Sequence, residues 1–174
     1  ALGASGVQVG TPFALCVESG IVPDVRRSLM RHALNGSGRI FTDPKASPTG
    51  FPFKVAELEG TLSQADVYQK RKRICDLGFL RECYRRPDGS IGYRCPAEPE
   101  NAYLAKGGQA ASLENRKCLC NALIANIGMP QRLPDGSQEL PLITLGDDFS
   151  GVGRFGSKGN LDYTAADVVH ELLG

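Results

Sequence analysis

A chain of 174 residues, 41% hydrophobic and 22% charged, carries enough apolar material for a core, which argues against disorder and for one globular domain. The formal net charge of +1 argues against a nucleic-acid footprint, because no basic stripe stands out beyond Lys70-Arg71-Lys72-Arg73, a run that reads as the solvated end of a helix. No apolar stretch approaches the length of a membrane span and no secretory signal is visible, so the cytoplasm is the expected compartment.

In chain order, residues 1–13 (ALGASGVQVGTPF) carry the first local signal. Val7, Gln8 and Val9 form a short β-prone run, Gly10-Thr11 close it, and Pro12 with the apolar-rich residues 13–17 starts a helix. A strand–turn–helix junction leaves the Gly10 and Thr11 amides unpaired at a helix N-terminus, where free donors and partial positive charge suit a phosphate. Glycine at position 10 lets the phosphate approach the backbone, and the Thr11 hydroxyl adds a donor. Turns with Gly and Thr are also ordinary parts of any α/β fold.

Glu18-Ser19-Gly20 end the first short helix, and Pro23 suits the first position of the next. There Val25, Leu29 and Ala33 recur at four-residue spacing, with Arg26, Arg27 and Arg31 pointing elsewhere, until Asn35-Gly36 stop the helix. His32 in this helix and His170 near the end of the last one read as surface or helix-end histidines more readily than as bases. Residues 39–42 read as a strand leading into turn-rich residues 43–50, which either face a cofactor or simply connect. Ser63 is placed to cap a helix beginning Gln64-Ala65-Asp66, with Asp66 completing a capping-box spacing.

From Arg73 onward the chain is rich in turns, with Pro87-Asp88-Gly89-Ser90 between Tyr84 and Tyr93 reading as a hairpin turn. Five of the six cysteines, Cys75, Cys83, Cys95, Cys118 and Cys120, lie here. A metal site draws thiolates into a tetrahedron, usually from a Cys-x2–4-Cys knuckle; intervening stretches of seven, eleven, twenty-two and one residues do not fit. Disulfides suit an oxidising compartment. Free thiols are the reading adopted, with metal and disulfide left open, and Cys16 is expected in the core.

Ser112 begins another helix, in which Leu119, Cys120, Leu123, Ile124 and Ile127 follow helical spacing up to Gly128, so that Cys120 faces the core. Leu133-Pro134-Asp135-Gly136-Ser137 is a second turn, and residues 140–145 are extended and apolar. The glycine-rich residues 146–156 match neither a Walker pattern nor a dinucleotide fingerprint, and Asp147-Asp148 read as solvated carboxylates rather than metal ligands. Thr164-Ala165-Ala166-Asp167 open a last helix with Val168, Val169, Leu172 and Leu173 as its apolar face and Gly174 as its cap.

Leu2-Gly3-Ala4, then Gly6-Val7-Gln8-Val9-Gly10-Thr11-x-Phe13, resembles the eighth strand and phosphate loop of the nitronate monooxygenase (2-nitropropane dioxygenase-like) family of FMN-dependent TIM barrels. The family resemblance continues through residues 50–54, residues 73–81 and 87–99 resemble a bacterial subset with a longer C-terminal section, and Tyr163-Thr164-Ala165-Ala166-Asp167 resembles the family's closing helix. The resemblance implies an α/β fold in which residues 1–60 are the last βα unit of a TIM (β/α)8 barrel and residues 61–174 an extension of helices, hairpin and loops. A complete barrel takes about 250 residues, so the chain is expected to be a C-terminal portion.

What the resemblance implies further is FMN as cofactor, with Gly10 and Thr11 as its phosphate contacts, and oxidation of an alkyl nitronate with dioxygen to a carbonyl compound and nitrite. The histidine serving as base in that family lies upstream of the matched strand, so no residue here inherits a catalytic role, and no metal ligand is assigned. Two rivals stand: an FMN-dependent enoyl-reductase-like barrel sharing the loop, and a cysteine-rich metal-binding module without flavin.

Overall fold

Eleven prolines and twenty-one glycines cut the chain into short elements. A computed structural model describes residue 3 and residues 5–174; Leu2 and Ala4, part of the first resembling string, lie outside the described residues. The elements are α1 (Thr11–Ala14), α2 (Pro23–Leu34), β1 (Arg39–Asp43), β2 (Phe53–Glu57), α3 (Ala65–Lys70), β3 (Glu82–Arg85), β4 (Ile91–Arg94), α4 (Glu100–Ala105), α5 (Leu119–Ala125) and α6 (Ala165–Leu173). Short 3-10 turns occupy Val17–Ser19, Ala110–Leu113 and Ser150–Phe155. The architecture is mixed α/β with two small sheets, β1–β2 and β3–β4. Among the described residues no helix is long and apolar enough to cross a membrane. Contacts divide the chain into two compact units, residues 1–40 with 145–174, and residues 41–144.

The first unit is built on α2. Its buried residues are Arg26, Leu29, Met30 and Ala33, so the core stripe includes an arginine that the apolar spacing sends elsewhere. Asp162 makes this possible: Arg26 and Arg27 both pair with it, at 3.0 and 2.8 Å, and a buried cation needs such a partner. The glycine-rich segment packs its 3-10 turn against α2. An added Cβ at Gly156 would stand 2.8 Å from Met30 Cε and 3.3 Å from the Asn160 carbonyl, so glycine is what allows the approach. The expected capping box opens α6: Thr164 accepts from the Asp167 amide and the Asp167 carboxylate accepts from the Thr164 amide.

Two expectations fail in this unit. Val7 to Val9 form no strand, for no described segment pairs with them and Val7 is 83% exposed. Of the apolar face expected on α6, only Val168 is buried, while Val169, Leu172 and Leu173 are exposed.

The second unit has a core of Val55, Leu62, Leu119, Ala122 and Leu142. Residues 140–145 belong to no regular element and are stitched in by main-chain bonds: Ala56 donates to the Ile143 carbonyl, Leu62 to Pro141, and Leu142 to Ala122. β3 and β4 form the expected antiparallel hairpin, Glu82 opposite Arg94 and Arg85 opposite Ile91, with the Asp88 carboxylate accepting from Ser90 in the turn.

Three readings are corrected here. Gln64, not Ser63, precedes α3, and the Ser63 hydroxyl instead joins Leu58 and Thr61. The helix expected from Ser112 is only a 3-10 turn until α5 begins at Leu119. The basic run is not uniformly solvated: Arg71 is buried against Glu139, and Arg73 donates to the Ala97 carbonyl at 3.3 Å.

Candidate functional site

The Gly10–Thr11 bend lies in the first unit. Thr11 is buried, and its hydroxyl oxygen accepts the Gly146 amide at 2.9 Å. A Cβ at Gly146 would come within 2.7 Å of that oxygen, so glycine at 146 permits the bond. Gly10 faces the other way: it is exposed, and a Cβ there would meet nothing within 4 Å. Among the described residues neither the Gly10 nor the Thr11 amide donates to a backbone oxygen. Both amides are therefore without a backbone acceptor among the described residues, Gly10 beside open space, while the Thr11 hydroxyl is engaged with Gly146. This donor set fits one phosphate group, through local amides rather than a dipole, because α1 is four residues long and Pro12 withdraws one N–H.

The histidines join no such constellation. His32 Nδ1 lies 2.9 Å from the Ser37 hydroxyl, and His170 is exposed on α6. Asp147 and Asp148 are exposed.

In the second unit the fold gathers what the spacing scattered. Cys75, Cys95, Cys118 and Cys120 line one small cavity, while Cys83, on β3, is exposed and apart. Three parts of the unit bring the four thiols. Cys95 follows β4 and begins a turn closed by the Glu98 amide on the Cys95 carbonyl at 2.9 Å. Cys118 precedes α5, its amide donating to the Tyr68 hydroxyl at 2.9 Å, and Cys120 lies in the first turn of that helix.

Cys75 comes from an irregular segment strapped to α5 by Asn121. The Asn121 amide donates to the Ile74 carbonyl at 3.1 Å and to Asp76 at 2.8 Å, and Gln131 donates to the same carbonyl at 3.1 Å. Arg81 folds back to donate to the Cys75 carbonyl at 2.9 Å and to its sulfur at 3.4 Å. Burial pushes the Cys95 thiol up to about 11 and raises Cys118, which the neighbouring Arg71 partly offsets. Cys120, expected in the core, is half-buried at the cavity wall.

A basic cleft in the same unit, lined by Lys45, Arg71, Arg73, Arg116 and Lys117, is less open to an anion than its composition suggests. Lys45 pairs with Glu114, Arg71 with Glu139, and Arg116 donates to the Lys45 and Ser47 carbonyls. Lys117 lies over the Tyr68 ring, and burial lowers its pKa.

The sequence signal that could have found the cysteine site is the pairing Cys118-x-Cys120; nothing local announces that Cys75 and Cys95 meet it. No family model, curated protein or solved structure matches the chain.

Proposed function

We propose that the chain is the C-terminal portion of a flavin-dependent oxidoreductase of the nitronate monooxygenase type, with the FMN phosphate held by the Gly10 and Thr11 amides. The observation that carries this reading is the bend itself: two amides that among the described residues donate to no backbone oxygen, Gly10 beside open space, held by the Thr11–Gly146 bond, within the string that resembles the family's phosphate loop. The exposed, unpaired run at Val7 suits a strand whose sheet partners come from the rest of a barrel.

When bound, FMN supplies the redox chemistry that takes electrons from an alkyl nitronate, dioxygen being consumed and a carbonyl compound and nitrite formed. The residues of this chain anchor the anionic tail; the catalytic base belongs to the barrel upstream. The free thiols support a reducing, cytoplasmic setting.

The test uses the full-length gene product, titrated with FMN and followed by flavin fluorescence. Gly10→Asp, whose side chain has open space, sets a carboxylate at the bend and is expected to weaken FMN binding tenfold or more. Alkyl nitronate with dioxygen should yield nitrite. Unchanged FMN affinity in Gly10→Asp overturns the phosphate site, and reduction of an enoyl thioester without nitrite formation from nitronate supports the reductase rival.

A further inference from the structure

We propose that Cys75, Cys95, Cys118 and Cys120 are the four ligands of a thiolate-bound metal centre, zinc or an iron–sulfur cluster. These four thiols, brought from three places in the sequence, line the wall of one small cavity, and the fifth cysteine of the region, Cys83, is left outside. A four-sulfur donor set selects zinc or an iron–sulfur cluster over harder ions. Among the described residues no three His, Cys, Asp or Glu side chains already stand as a set able to close on one ion. Turning a thiol between staggered rotamers moves its sulfur by about 3 Å, which is enough to aim these four inward.

The surroundings match the charge of such a centre. Four thiolates concentrate negative charge, and Arg73 and Arg81 line the same cavity, with the Arg81 guanidinium 3.4 Å from the Cys75 sulfur. Gly78 has φ +66°, and a Cβ there would stand 2.7 Å from the Arg81 guanidinium, so this glycine lets Arg81 fold over the loop onto Cys75. The anchoring of Ile74 by Asn121 and Gln131 ties the Cys75 segment to the helix that carries Cys120. Without a metal, this arrangement leaves two buried thiols, Cys95 and Cys118, in a small cluster with Ala97.

The inference does not depend on the flavin reading, and its test does not use activity or colour. Protein purified without oxygen is analysed for iron, zinc and acid-labile sulfide, and its cysteines are alkylated before and after a chelator and mapped by mass spectrometry. The expected result is bound metal, as zinc or as iron with acid-labile sulfide, rapid alkylation of Cys83, and protection of the four cavity cysteines until the metal is stripped. Cys118→Ser should lose most of the metal and Cys83→Ser none. Zinc without sulfide and iron with sulfide both support the thiolate site, and the sulfide assay distinguishes them. Metal-free protein with the four thiols equally reactive before and after chelation, or with disulfides among them, overturns the site, and because alkylation is read on the unmodified protein, a variant that fails to fold does not shelter it.

Discussion

Arg71 and Glu139 form a buried ion pair in which the guanidinium donates through both Nε and Nη2 to one carboxylate, the two side chains being 4% and 2% exposed. Burial works against the charged guanidinium, yet the Glu139 carboxylate outweighs it and the Arg71 pKa is raised. Glu139 precedes the segment that donates Leu142 to the core, so the pair pins that segment to the end of α3.

Removing one partner strands the other charge away from water. Glu139→Ala is expected to destabilise the protein by about 3–5 kcal/mol, whereas a surface pair is worth under about 1 kcal/mol. Urea unfolding measures this. A loss no larger than that of Asp66→Ala, whose partner Lys70 is 81% exposed, would show that the pair contributes nothing special.

Gly38 lies against the ring of buried Phe149, and a Cβ there would come within 1.9 Å of Cε1. Gly38→Ala must therefore displace a core ring and is expected to cost about 1–3 kcal/mol. Gly159→Ala, with nothing within 4 Å, is the control and should be near neutral. Equal thermal midpoints for the two variants would contradict the packing described.

The Thr11–Gly146 bond couples the bend to the glycine-rich segment. Thr11→Val keeps the shape but leaves the Gly146 amide without its acceptor, an expected cost of about 1–3 kcal/mol. Hydrogen exchange at the Gly146 amide should rise in the variant; exchange as slow as in the parent would mean that another acceptor holds it.

The Arg27 hydrogen bond, with Arg26 adding its charge, holds the Asp162 carboxyl below the usual carboxylate range. Its folded pKa is depressed relative to the unfolded chain, so its contribution to stability is present above the unfolded value of about 3.9 and is lost as pH falls through the folded one. Unfolding midpoints measured between neutral pH and about pH 3 should show a smaller acid loss in Asp162→Asn than in the parent. Parallel profiles would remove Asp162 from the acid response.

Elements whose cause is local were legible before any coordinates. Pro23 starts α2 and Asn35-Gly36 stop it, Pro87-Asp88-Gly89-Ser90 turn the β3–β4 hairpin, and Thr164 with Asp167 cap α6, because each of these depends on residues within a few positions of one another. Of the bend, the residue types were readable, but not the acceptor role of the Thr11 hydroxyl toward Gly146. The β-prone run at Val7 to Val9 shows the limit of propensity: a strand needs a partner, and no described segment supplies one.

Chain order alone thus determined the helix boundaries set by proline, glycine and caps, the hairpin turn, and a bend carrying free amides. Only the tertiary structure decided that Arg26 and Arg71 go inside, since a cation is buried where a distant carboxylate meets it, as Asp162 and Glu139 do. It alone decided that Cys75, Cys95, Cys118 and Cys120 share one cavity while Cys83 does not. Sequence spacing measures distance along the backbone, and convergence of four thiols is fixed instead by how a hairpin, a helix start and a strapped loop pack together.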